Sequence, residues 1–233
     1  MSVTPWPFSW LLYDKVMPAL KLYIGNYNYS SWSLRPWLVL RKAELPFETK
    51  MIDLDIPGFK DKLLALSDAG TVPVLEVNGE RLPDSLAISE FCAKAVPNLW
   101  PKDPKQRARA REVTHMMHSG FEALRAEAPM NLRRRTSYPV PQSCLDDAAD
   151  MVNLWDDLLS RHDGPFLFED WSIADAFYAP AATRFASYDL PRTARSDTYI
   201  SELMSDPDYL DWEAKAFVET HILPETDCVN NHA

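Results

Sequence analysis

"TVPVLEVNGERLPDSLAISEFCAKA", Thr71 to Ala95, closes a small α/β layer, and its reading decides the first half of the chain. The runs "VPVLEV" and "ERLP" flank Asn78-Gly79, the dipeptide that most readily supplies the positive φ angles of a tight hairpin. Leu86, Ile88 and the Phe91-Cys92 pair then recur at helical spacing, which predicts a helix behind the hairpin. Upstream, "LKLYI" (Leu20 to Ile24) reads as a first strand, and Gly25 releases the backbone into a loop. A helix starts near Ser31 to Ser33, with Leu34, Trp37, Leu38 and Leu40 on its apolar side and Pro36 in or just past its first turn. "FETKMIDL" predicts a second strand and "GFKDKLLAL" a short helix. The order is βαβαββα over residues 19–96, an α/β layer with one helical crossover and a terminal hairpin.

"VPNLWPKDPK" follows, and its prolines mark residues 97–105 as a linker. Residues 106–233 are helical in period: "QRARAREVTHMMHSGFEALRAEA", "CLDDAADMVNLWDDLLSRH", "SIADAFYAPAATRFASY" and "YLDWEAKAFVETH" predict an all-α second domain. Residues 1–18 read as an extension, without a basic region ahead of their apolar part, and Met17 offers an alternative start. No apolar run approaches the ~20 residues of a membrane span. A net charge of −10 disfavours nucleic acid and acidic membranes, so the expected partners are a small molecule or a protein. Cys92, Cys144 and Cys228 lack CxxC spacing, which points to neither a disulfide framework nor a zinc knuckle and fits a reducing cytosol. His115 and His118 share a helix face, but no third ligand follows at metal spacing, so no metal is expected. Trp155, Phe166, Phe168 and Trp171 cluster about Gly164-Pro165, and core packing between helices accounts for them better than a ligand box.

Chemistry concentrates at three places. "NYNYSSWSLRPWLVL" (Asn26 to Leu40) crowds Ser30, Ser31 and Ser33 onto a helix start, where a hydroxyl either caps the helix or donates to a bound anion favoured by the helix dipole. Pro73 at a strand entrance is either an edge-strand proline or a cis residue that turns the backbone of Val72 outward toward a peptide ligand. Asp84 and Ser85 open a helix with an incomplete capping box, since Ile88 stands where Glu or Gln would complete it. The free N–H groups and the Ser85 hydroxyl suit a ligand carboxylate, and Asp84 suits an ammonium.

Together these pieces resemble the cytosolic glutathione transferases, from about Leu20 to about His221. The resemblance implies a thioredoxin-like glutathione-binding domain followed by an all-helical domain. "SIADA" (Ser172 to Ala176) is similar to the family's N-capping box, with Asp175 reaching back to Ser172. Where thioredoxin-like folds hold CxxC, this chain has Ser30-Ser31-Trp32-Ser33, so the ligand supplies the thiol. The spacing of Ser30 and Arg35 is similar to that of zeta- and tau-like transferases, which implies Ser30 as the thiolate donor, with Ser31 its near rival. The resemblance further implies Trp32, Arg35, Val72, Pro73, Asp84 and Ser85 as glutathione-binding residues; the adjacent arginines of "PMNLRRR" (Pro129 to Arg135) are either a solvated face or steer an anionic substrate or the glycyl carboxylate of glutathione, and Lys60, on position alone, is a second candidate for that carboxylate. Asn131, Leu132 and Arg133 match the zeta stretch that faces the electrophile.

The expected activity is glutathione conjugation to a small hydrophobic electrophile by a cytoplasmic homodimer of bacterial type. Two alternatives stand beside it. One is a zeta-like, maleylacetoacetate-type isomerase or a glutathione-dependent lyase, although those isomerases carry a cysteine where Trp32 stands. The other is a non-catalytic glutathione-binding or stress-response module.

Overall fold

Strand β1 (Leu20–Ile24) buries Leu20, Leu22 and Ile24 on one face. It lies inside a four-stranded sheet of order β2-β1-β3-β4. The computed structural model describes residues 19–137 and 139–228; residues 1–18, including the alternative start at Met17, lie outside it. β2 (Phe47–Met51) runs parallel to β1, with Leu20 opposite Phe47 and Ile24 opposite Met51. A parallel pair needs a crossover, and α1 (Ser31–Lys42) supplies it. β3 (Val74–Val77) pairs antiparallel with β1, and β4 (Glu80–Pro83) with β3. Asn78 and Gly79 join β3 to β4 with φ of 51° and 91°, the backbone that the Asn-Gly dipeptide predicts. α2 (Phe59–Leu66) buries only Leu63, whereas α3 (Ser85–Ala95) buries Ile88, Phe91 and Cys92 behind the sheet.

The chain then passes through a 3₁₀ turn (Pro97–Leu99) into α4 (Pro104–Ser119). Asp103 caps that helix through Oδ1, which accepts from Lys105 N at 3.0 Å and Gln106 N at 2.8 Å. Periodicity reads one helical run as far as Ala128, but the structure breaks it at Gly120. Phe121 turns to φ 54°, and a separate α5 (Glu122–Glu127) follows. A Cβ at Gly120 would stand 2.9 Å from the Met116 carbonyl oxygen, so the close turn there needs glycine.

α6 (Gln142–Leu159), α7 (Ile173–Ser187), α8 (Ala194–Ser205), α9 (Pro207–Val218) and the short α10 (Pro224–Cys228) complete the described helices. α8 and α10 are absent from the sequence reading. α8 has a polar start in which Thr193 and Ser196 cap each other, so its apolar face of Tyr199, Ile200 and Leu203 is short.

α7 is the axis of the helical half. Its residues from Ile173 to Phe185 are all buried, and it packs on α1, α4 and α8. α1 is likewise enclosed, from Ser33 to Leu40, because it lies between the sheet layer and α7. Trp155 of α6 meets Tyr178, Phe185 and Tyr199 with ring centroids 5.8, 5.1 and 5.2 Å away, so it is core packing. Asp175 Oδ2 accepts from Ser172 N at 2.8 Å and Ser172 Oγ at 3.0 Å, while Oδ1 accepts from Leu167 N and the Tyr199 hydroxyl, each at 3.0 Å. Those bonds tie the start of α7 to the preceding loop and to α8. No helix among the described residues is long and apolar enough to cross a membrane.

Candidate functional site

The loop from β1 to α1 ends at Ser30, which occupies the N-cap position of α1 without making a side-chain cap. Its hydroxyl instead donates to Ser33 Oγ at 2.8 Å, and Ser33 Oγ also accepts from Gly25 N at 3.2 Å. Because the Gly25 amide already feeds Ser33, the Ser33 proton can turn toward Ser30 Oγ and free the Ser30 O–H for a ligand. The sequence presents Ser33 as one of several hydroxyls, and its spacing of three from Ser30 is the signal for this bond. Ser31 is buried at the same helix start, one residue on. Both hydroxyls lie where the first N–H groups of α1 and its dipole favour a negative charge.

A second set forms around the start of α3. The Val72–Pro73 peptide is cis, immediately ahead of β3. Asp84 sits at φ 80°, a conformation that costs a non-glycine residue roughly 1–3 kcal/mol. Its Oδ1 accepts from Leu86 N at 2.8 Å and Ala87 N at 3.0 Å, which caps the helix. Its Oδ2 lies 3.2 Å from His118 Nε2 of α4. Ser85 is fully buried, and its hydroxyl has no hydrogen-bond partner among the described residues. A buried hydroxyl left this way is costly, and it stands beside Asp84, whose backbone is itself strained.

His118 links this set to α1. Burial holds its pKa below the ordinary value, so the neutral ring donates from Nε2 to Asp84 near neutral pH. Its ring centroid is 5.2 Å from Trp32. The fully buried Arg35 guanidinium lies 4.3 Å from the Trp32 ring and 5.1 Å from Phe177. None of its nitrogens has a hydrogen-bond partner among the described residues, and the two aromatic faces take that place. Burial, with Arg184 and Arg125 nearby, pushes its pKa down to about 9, so it keeps its charge at neutral pH.

On the other side of the loop, Asn28 Nδ2 donates to Asn131 Oδ1 at 2.9 Å, and Asn28 Oδ1 accepts from Arg133 N at 3.1 Å. Leu132 is buried. Arg133 donates to the Tyr29 hydroxyl at 2.9 Å, to the His221 carbonyl at 3.0 Å and to the Glu219 carbonyl. Asp227 accepts from the Tyr29 hydroxyl at 2.7 Å and from Asn131 Nδ2. Arg133, Arg134 and Arg135 line a cavity of about 670 Å³ with Asn131, Thr220 and Ile222. The structure thus sets Ser30 at the start of α1 ahead of Ser31, Trp32 and Arg35, connects Asp84 to Trp32 through His118, and places Asn131 to Arg133 against the loop. Lys60 is exposed on α2. Periodicity did not single out Asn28, Glu219 or Asp227, whose roles come from residues distant in the chain.

Burial pushes the Cys92 and Cys144 thiols up to about 12 and about 11, so neither is a nucleophile at neutral pH. Among the described residues no three His, Cys, Asp or Glu side chains form a metal-holding group.

Residues 29–95 match the family model of the glutathione S-transferase N-terminal domain. A probable maleylacetoacetate isomerase of Caenorhabditis elegans is 30% identical over 176 residues, 72% of this chain and 82% of that one. The chain belongs to the glutathione S-transferase family. Maleylacetoacetate isomerase of Rattus norvegicus is 31% identical over 113 residues, which span 46% of this family member and 52% of the rat chain. The fold of a glutathione transferase homolog from Burkholderia, solved with bound glutathione, superposes on this family member with a TM-score of 0.69 at 23% identity, over 86% and 100% of the two chains. Glutathione transferase Omega 2S from Trametes versicolor gives 0.68 at 20% identity, over 91% and 100%.

Proposed function

We propose that this glutathione S-transferase family member binds glutathione and catalyses the cis–trans isomerisation of a maleyl-type diketo acid. The buried Ser85 hydroxyl, without a partner among the described residues, is the observation that supports the binding. It fits one end of an amino-acid carboxylate, with the partly exposed Asp84 beside it for the ammonium. Val72, next to the cis bond, offers its backbone to the middle of the peptide, and Lys60 lies on α2 for the glycyl carboxylate. The likeness to relatives named maleylacetoacetate isomerase favours isomerisation over conjugation.

When bound, glutathione supplies a thiolate that adds to a conjugated carbon and, in an isomerisation, leaves again. Ser30 donates its O–H to the sulfur position, while Ser33 turns its own proton to Ser30 Oγ. The α1 N-terminus favours the negative charge, and each pKa unit of thiol lowering represents ~1.36 kcal/mol of preference for the thiolate. Arg35, held between Trp32 and Phe177, adds a fixed positive charge to the same helix. Of the stretch that the resemblance sets near the electrophile, Leu132 is buried and both ends of the Asn131 amide are taken, so that contact falls to Arg133 and the neighbouring arginines, which line the cavity and attract carboxylates. A homodimer in the cytosol follows from the family resemblance.

Conjugation to an apolar electrophile is the second reading, favoured by Trp32 where the isomerases carry cysteine. Calorimetry with glutathione, followed by turnover of a maleyl-type diketo acid and of an aryl halide, separates the two. Isomer formation without loss of glutathione supports the first reading, and consumption of glutathione with the halide alone supports the second. Failure to bind at millimolar glutathione overturns both.

A further inference from the structure

The loop that delivers Ser30 is held from outside by the end of the chain. Within the loop, Ser30 N and Tyr29 N donate to the Asn26 carbonyl at 2.9 and 3.3 Å. That turn leaves the consecutive amides of Tyr27 and Asn28 pointing away from it. Both are taken by one carboxylate: Tyr27 N donates to Glu219 Oε1 at 2.6 Å and Asn28 N to Glu219 Oε2 at 3.0 Å. Two successive backbone N–H groups converging on one anion form a strong, directional pair of charge-assisted hydrogen bonds. Glu219 lies just beyond α9, and its own carbonyl accepts from Arg133. Trp212 Nε1 on α9 donates to the Tyr27 carbonyl at 2.9 Å, and His221 Nε2 meets the Leu54 carbonyl at 2.9 Å. Asp227 then accepts from the Tyr29 hydroxyl.

From this clasp we infer that Glu219 is a positioning residue, which sets the Ser30 hydroxyl for the thiolate by fixing the peptide units of Tyr27 and Asn28. Its effect is transmitted through the backbone, since Asn28 lies only two residues before Ser30 and is locked on its far side by Asn131 and Arg133. Glutamate fits because its two oxygens serve two parallel amides at once. Glutamine has a single acceptor oxygen, and its NH₂ faces a donor, so it restores only half of the clasp. The inference rests on the proposed thiolate role of Ser30, and the test separates the two.

Glu219→Ala and Glu219→Gln are compared with the wild type and with Glu213→Gln, a carboxylate of α9 whose partner is Tyr209. Calorimetry first measures glutathione binding by the wild type; no binding there overturns the thiolate reading and this inference with it. The thiol pKa of bound glutathione is then followed by ultraviolet absorbance of the thiolate, alongside kcat and KM. Glu219→Ala is expected to raise that pKa by about one unit and lower kcat about tenfold, with KM for glutathione changed less than about twofold. Glu219→Gln is expected to fall between Ala and wild type, and Glu213→Gln to match the wild type. Unchanged pKa and kcat in Glu219→Ala overturn the inference, as does a rise in KM alone. A lowered pKa in Glu219→Gln also overturns it, because that result marks Glu219 as a charge and not a clasp. If the Ala variant fails to fold, the Gln variant decides by the same pKa.

Discussion

The starts of α7 and α3 treat a buried serine in opposite ways. At α7, Ser172 and Asp175 are enclosed, and four donors converge on the Asp175 carboxylate from Leu167, Ser172 and Tyr199. At α3, Asp84 caps two amides, yet the equally buried Ser85 hydroxyl has no partner among the described residues. A buried polar group left unpaired costs roughly 1–3 kcal/mol, so a closed start stabilises the fold, while the open one is where we propose that glutathione binds. The start of α1 is intermediate, because Ser30 caps no amide and its hydroxyl bonds Ser33 instead.

The contrast breaks most readily at Asp175. Replacing it with alanine strands four donors, and a loss of about 4 kcal/mol is expected, or roughly 10 °C in Tm by calorimetry. A drop under about 3 °C would mean that the α7 start is no more structural than that of α3.

Ser30→Ala tests the intermediate start. It should lower kcat/KM about 100-fold and raise the bound thiol's pKa, with a stability loss of only about 1 kcal/mol from the Ser33 bond. Ser85→Ala should weaken glutathione binding about tenfold in calorimetry while leaving Tm unchanged or slightly raised, since no bond is lost. If Tm falls there as it does for Asp175, Ser85 is folding machinery.

The smallest effect concerns His118. Its folded pKa is depressed by burial, so the unfolded chain takes up the proton first as pH falls. Its contribution to stability is therefore present above the unfolded value of about 6.5 and lost as pH falls through that value toward the folded pKa. Urea midpoints at pH 7 and pH 5 should differ less in His118→Gln than in the wild type; equal differences would remove His118 from the link to Asp84.

Much of this was legible in the chain. Asn78-Gly79 placed the hairpin, the apolar and aromatic content of "LKLYI" placed the first strand, and Asp84-Ser85 marked a helix start, which Asp84 caps. The break at Gly120 was hidden because apolar periodicity runs on through it, and α8 because mutual caps of Thr193 and Ser196 replace an acidic box. Arg35 was legible as a candidate, but its burial between Trp32 and Phe177 was not, since Phe177 lies on another helix.

By itself, the order of residues determined which segments become strands and helices and where hydroxyls meet helix ends, because those outcomes depend on neighbours within a few positions. Only tertiary structure decided which groups end up paired. Glu219 reaches Tyr27 across 192 residues and Asp227 reaches Tyr29 across 198, contacts that exist once α1 and α9 have packed together and that no local pattern encodes. The open hydroxyl at Ser85 has the same origin: burial by the folded chain makes its missing partner costly.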